Sequence, residues 1–192
     1  MTIAVVMRTR LRFNWGLVFG SAAVSILLLT VAGPDVFDIG VAGMALLAAT
    51  CMAVSDSRTG MLRNACTGPF AVAAILHVLI ASLFLPHALD LIVATAIALL
   101  VNTGFYTGMG LIGWVGFGDV KLVIGLTLFA ALLAGEASML LPPAALLIAA
   151  GFRAVSARES QPSRPHGPAL VLAFALLLGT ARLVGFTGSM VA

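Results

Sequence analysis

Charge is what this sequence has least of. Only 9% of its 192 residues are Asp, Glu, Lys or Arg, and just seven are acidic. Soluble domains carry about 25% charged residues, so a soluble globular protein is excluded. Cysteine is almost as scarce. Cys51 and Cys66 form no CxxC pair, which excludes a zinc ribbon or a cysteine-rich module and leaves them as ordinary apolar residues. His77, His87 and His166 are too scattered for a metal centre, so neither metal nor cofactor is expected. No internal repeat, low-complexity tract or GxxxxGK[ST] phosphate loop is present. What remains is 61% hydrophobic, with a mean hydropathy of +1.17. The composition is that of a polytopic membrane protein folded as one domain over 1–192.

A spanning helix needs about 20 apolar residues to cross a core roughly 30 Å thick. Runs near that length cover 15–32, 38–55, 68–85, 88–109, 120–134, 137–152 and 168–186. The expectation is therefore an all-α transmembrane bundle of six to seven spans; 120–152 reads either as two short spans or as one re-entrant hairpin. With seven spans and a cytoplasmic N-terminus, nine of the ten basic residues fall inside: Arg8, Arg10, Arg12, Arg58, Arg63, Lys121, Arg153, Arg158 and Arg164. The outside loops hold Asp35, Asp38, Asp90 and Glu136 and no basic residue. This is the positive-inside pattern, and it accounts for the net charge of +3 without nucleic acid as a partner. Residues 1–32 could be mistaken for a signal peptide, because "TVAGPD" places small residues after an apolar run; cleavage there would leave the remaining topology unchanged. Trp15 and Trp114 suit interfacial anchoring.

Three acidic residues remain. Glu159 sits among Arg158 and Arg164 in a polar loop and reads as solvated surface. Asp56 ends the second run in "AVSDSRTGMLRN", and Asp119 opens the fifth in "GFGDVKL". Two crossings separate them, so both carboxylates lie at the same membrane face. Singly, each has a bland reading: Asp119 as a helix N-cap, Asp56 as a turn residue with Ser57 and Gly60. Together, at a membrane border where ionisable groups are costly, they point to function. The chemistry that uses two such carboxylates is aspartyl proteolysis. Like-charge repulsion keeps both from ionising, so the pair holds one proton and titrates as a unit. Gly116 and Gly118, lacking Cβ atoms, would let a substrate backbone approach Asp119; the plain alternative is a tight loop.

"GFGDVKL" has the form GxGD followed by a basic residue, and "DSRTGMLRN" is similar to the D-x-R-x-x-x-(I/L)-x-N segment of prepilin peptidases. A "P-x-G-P" follows at Pro165 to Pro168. The paired motifs, in this order and in a chain of this length, resemble the short tight-adherence/Caulobacter-pilus type of these GxGD membrane aspartic peptidases. The resemblance implies Asp56 and Asp119 as the catalytic pair, with Arg58 and Asn64 from the first motif and Gly116, Gly118 and Lys121 from the second in support. It also implies a multi-pass inner-membrane enzyme that removes the basic leader of Flp-like type IV prepilins at the cytoplasmic face. Arg63 stands where many members have proline. With no room for a cysteine-rich domain, the expectation is peptidase activity without N-methylation and without zinc. Lys121 admits two readings, contact with the substrate or the pair, and snorkelling at the interface.

Three rival readings frame this one. A presenilin or signal-peptide-peptidase type protease would carry its first aspartate in a YD motif within a helix. A proton-coupled carrier would place its acids near the midplane. A silent assembly subunit of a pilus machine would not need both aspartates.

Overall fold

The structure, a computed structural model, describes residues 15–27, 30–31, 34–59, 62, 64–84, 86, 88–155 and 166–184. Arg8, Arg10, Arg12, Arg63, His87, Arg158, Glu159, Arg164 and Pro165 lie outside the described residues, as do the side chains of Trp15, Arg58, Asn64 and Arg153. Among the described residues every regular element is helical: α1 (Trp15–Leu27), α2 (Pro34–Thr59), α3 (Asn64–Phe84), α4 (Ala88–Leu111), α5 (Phe117–Ala134), a 3-10 segment (Gly135–Leu140), α6 (Leu141–Val155) and α7 (Gly167–Val184).

Among the described residues, four stretches are long and apolar enough to cross a membrane: Asp35–Asp56, Cys66–Phe84, Ala88–Leu111 and Phe117–Phe152, the last interrupted at Gly135. Gly167–Leu183 is a shorter apolar helix. The fold is an all-α bundle of membrane-spanning character. Its outward faces expose Leu47, Leu83, Leu100, Leu147 and Leu183, a surface suited to lipid and a liability in water.

α5 lies at the centre, packed by α2, α3, α4 and α7. Its sequence from Leu122 to Ala134 is apolar all round but for Thr127, and a helix of that kind must be buried on every side. Side-chain contacts fix the directions. α4 runs antiparallel to α5: Asn102 meets Thr127, and a methyl on Gly110 would lie 3.7 Å from Val120 and 3.8 Å from the Phe117 ring. α3 runs parallel to α5: Phe70 lies over Gly125 and meets the Phe129 ring at 5.3 Å, tilted by 46°, while His77, two turns on, meets Phe129 at 5.5 Å. α2 and α7 are antiparallel, because Asp56 meets Gly167 while Arg182 acts on Asp38 at the other end. Arg182, the basic residue left over from the inside set, is thus matched by an acid near the start of α2. α1 is tied to α3 by a buried hydrogen bond between Ser25 Oγ and His77 Nε2, 2.8 Å long.

Two expected boundaries move. The sixth run was expected at 137–152, but α6 begins at Leu141, with Pro142 and Pro143 in its first turn, where a missing N–H costs nothing. Residues 135–140 instead form the 3-10 segment, and this corner is drawn into the bundle. Ser138 is fully buried, and its carbonyl accepts a 3.0 Å bond from Asn102 Nδ2, partway along α4. The helix after it has only 15 residues, about 22 Å, and leans on α7. The second run was expected to end at 55; α2 continues to Thr59, so Asp56 is a helical residue and not part of a turn.

Candidate active site

Gly116 is the N-cap of α5, and Asp119 occupies the third helical position. From there its Oδ2 accepts a 3.2 Å bond from the Gly116 N–H, the carboxylate half of a capping box. The N-cap reading is therefore replaced by a reach-back cap that uses one oxygen only. The other oxygen, Oδ1, is buried with no hydrogen-bond partner. The loop that delivers the helix is closed by Gly113 N–H to the Gly110 carbonyl, 3.1 Å, and Trp114 N–H to the Met109 carbonyl, 3.0 Å. Gly113 has φ of +76°, a conformation that L side chains rarely adopt.

Asp56 lies near the end of α2 and is only 5% exposed; Asp119 is 7% exposed. The first residue of α7 meets Asp56 directly. The Gly167 backbone N–H is directed at the carboxylate, and a β-carbon at Gly167 would lie 2.9 Å from Oδ2. Asp56 Oδ2 is buried without a hydrogen-bond partner. The pair is close enough for the charge on Asp56 to act on Asp119, and the Asp119 charge in turn reaches Tyr106 on α4. Helices α2, α4, α5 and α7 thus bring two carboxyl groups and a phenol to one end of an apolar bundle. In such surroundings two carboxyls cannot both ionise cheaply, and the oxygens left without protein partners are free to hold water or a peptide carbonyl.

The other expected residues divide. Gly116 adjoins the Asp119 carboxylate, and a methyl there would make an ordinary 3.6 Å contact with Oδ2. At Gly118 the space expected for substrate is already filled: a β-carbon would lie 2.9 Å from Leu62 Cβ. That glycine lets the segment after α2 pack against α5, joining the two motifs. Lys121 is exposed, and its Cα lies about 200° round the helix from that of Asp119. Arg58 falls within α2 and Asn64 opens α3, both on the segments flanking Leu62. Trp114 is exposed on the α4–α5 connection. Among the described residues, no group of three His, Cys, Asp or Glu side chains could hold a metal.

Two residues escaped the sequence reading. Gly167 was noted only as part of "P-x-G-P", although its place at the start of the last helix is where a backbone N–H can face an acid. Tyr106 was not singled out; it is the one tyrosine of the chain, four residues beyond Asn102 on the buried stripe of α4. No family model, curated protein or solved structure matches this chain.

Proposed function

We propose that the protein is a membrane aspartic endopeptidase that removes the basic leader from prepilin-like substrates at the cytoplasmic face of a bacterial inner membrane, without N-methylation. The observation that carries this reading is the pairing of Asp56 and Asp119: buried at one end of the bundle, within each other's field, each with one oxygen free of protein partners. The ionised member takes a proton from water as the water oxygen bonds to the scissile carbon. The protonated member gives its proton to the carbonyl oxygen. Collapse of the tetrahedral diol breaks the C–N bond, the amine leaves with a proton, and the pair returns to its singly protonated state.

The substrate follows from where the pair sits. A prepilin has a basic leader followed by a hydrophobic helix, so its cleavage site lies at the cytoplasmic interface. The bundle offers carboxyls at its end, not at the midplane a carrier would use. In the test, the chain is co-expressed with a small protein bearing a basic leader, a glycine and an apolar helix, and leader loss is followed by gel shift. Wild type should process it, while Asp56→Asn and Asp119→Asn should each lose at least about 10³-fold in rate, as for other residues that act as a catalytic unit. Processing by both variants would defeat the dyad mechanism. A wild type that leaves the leader intact but carries protons into vesicles would replace it with a carrier.

A further inference from the structure

α4 buries one stripe: Leu91, Thr95, Ala98, Asn102 and Tyr106. Tyr106 heads the fully buried side chains by size, with 0% exposure, yet its hydroxyl has no hydrogen-bond partner. Buried hydroxyls without partners are rare; Thr95, Thr103 and Ser138 share this state among the described residues, and Tyr106 differs in lying within reach of the Asp119 charge. Packing does not explain the Tyr106 hydroxyl. The ring makes an edge contact with Phe105 at 5.9 Å, and phenylalanine would fill the same space without an unsatisfied oxygen.

The register of α4 on α5 says where the ring lies. Asn102 is bonded to Thr127, and Gly110 faces Phe117 and Val120. Tyr106 falls between these two contacts, one turn deeper than the start of α5, and within reach of the Asp119 charge. Three buried oxygens at this end therefore lack partners: Asp56 Oδ2, Asp119 Oδ1 and the Tyr106 hydroxyl. The carboxyl pair holds a single proton between its two members. A phenol is a neutral donor that keeps its proton at any working pH. Of the other polar donors on the stripe, Asn102 already spends its amide N–H groups on Thr127 Oγ1 and the Ser138 carbonyl, and Thr95 lies about three turns away along α4.

Resting on the peptidase reading above, we propose that Tyr106 is a third catalytic residue, whose hydroxyl donates a hydrogen bond to the scissile carbonyl oxygen as the tetrahedral intermediate forms. The protons still move between water, the two aspartates, the carbonyl oxygen and the leaving amine. Tyr106 transfers none and acts as a fixed neutral dipole where negative charge develops, in a site from which bulk water is excluded. Its pre-set position, locked by burial in the α4–α5 seam, is what makes such a donor effective.

The test uses the full chain in detergent and a synthetic peptide with a Lys/Arg leader, a glycine and an apolar helix. Tyr106→Phe should lower kcat by about 10²–10³-fold, the loss seen when one oxyanion donor is removed. KM and the thermal midpoint should hold near wild type. Phe105→Leu, which disturbs the ring contact but keeps the hydroxyl, should leave kcat unchanged. Wild-type kcat in Tyr106→Phe, beside an inactive Asp119→Asn, overturns the assignment and leaves the peptidase reading standing. A loss that appears in KM, or that Phe105→Leu reproduces, makes Tyr106 structural and also overturns it. Full activity in Asp119→Asn, or a wild type inert toward the peptide, removes the peptidase reading and this assignment together.

Discussion

Alanine at Gly167 should separate activity from stability, because the two respond in opposite directions. The added β-carbon would lie 2.9 Å from Asp56 Oδ2 and 3.5 Å from Asp56 Cβ and Cγ, whereas most real contacts of this kind lie beyond 3.4 Å. Either the carboxylate or the start of α7 must give way by about half an ångström. Asp56 is buried, and the Gly167 N–H is directed at it, so the shift falls on a carboxyl of the proposed dyad. Displacements approaching 1 Å can cost about 10²-fold in rate. The helix itself gains. Gly167 is the first residue of α7 and its φ is not positive, so alanine is conformationally acceptable there and more helix-favouring by up to about 1 kcal/mol. Gly167→Ala is expected to cleave the leader peptide about 10–100-fold more slowly while unfolding at the same temperature or slightly higher. Single-turnover cleavage and a fluorescence melt in detergent read both. Wild-type cleavage would refute the reasoning, since it would mean that the contact places nothing of consequence. A loss explained by a lower melting point would refute it equally.

Gly118→Ala brings a β-carbon to 2.9 Å from Leu62 Cβ. It should destabilise by about 1–3 kcal/mol, the usual range for overpacking, and Leu62→Gly in the same chain should recover part of that loss; additive effects in the double-mutant cycle would show that the two do not touch. Ser25→Ala removes the partner of His77 Nε2. Because His77 Nδ1 must donate to the Ala73 carbonyl at 2.6 Å, Nε2 is the acceptor and Ser25 the donor. The variant should lose about 0.5–1.5 kcal/mol, the range of interhelical hydrogen bonds in membrane proteins, seen as a lower melting point; an unchanged one would mean that α1 is held to α3 by packing alone.

The helices were largely legible in the sequence because uninterrupted apolar runs leave the backbone no other way to satisfy its polar groups in lipid. The runs at 68–85 and 88–109 meet α3 and α4 with small shifts at their ends. Where the reading strayed, side chains distant in sequence decided the outcome. Residues 137–140 look like the start of a span, but Asn102 captures the Ser138 carbonyl and folds the corner inward. Asp56 looks like a loop residue, but α2 runs past it and the start of α7 covers it. Gly118 looks like room for a substrate, and Leu62 takes that room. The two aspartates could be paired in advance because an even number of crossings returns a chain to the face it left. Tyr106 could not, since a lone tyrosine in an apolar helix shows neither which way it faces nor that its hydroxyl is left without a partner. Its spacing from Asn102 was the available clue.

The dependence of Asp56 on α7 bears on how the chain is made. A ribosome delivers α2, with its aspartate, long before it delivers Gly167. Until the last of these helices is inserted, the acid lacks the backbone N–H directed at it and the wall that buries it. α5 likewise waits for one of its four neighbours. Among the described helices α7 is the last one the site requires, so the site cannot form before that helix is inserted. A product lacking α7 would hold both aspartates without the helix start that covers Asp56, so the proposed site stays open until that helix has packed.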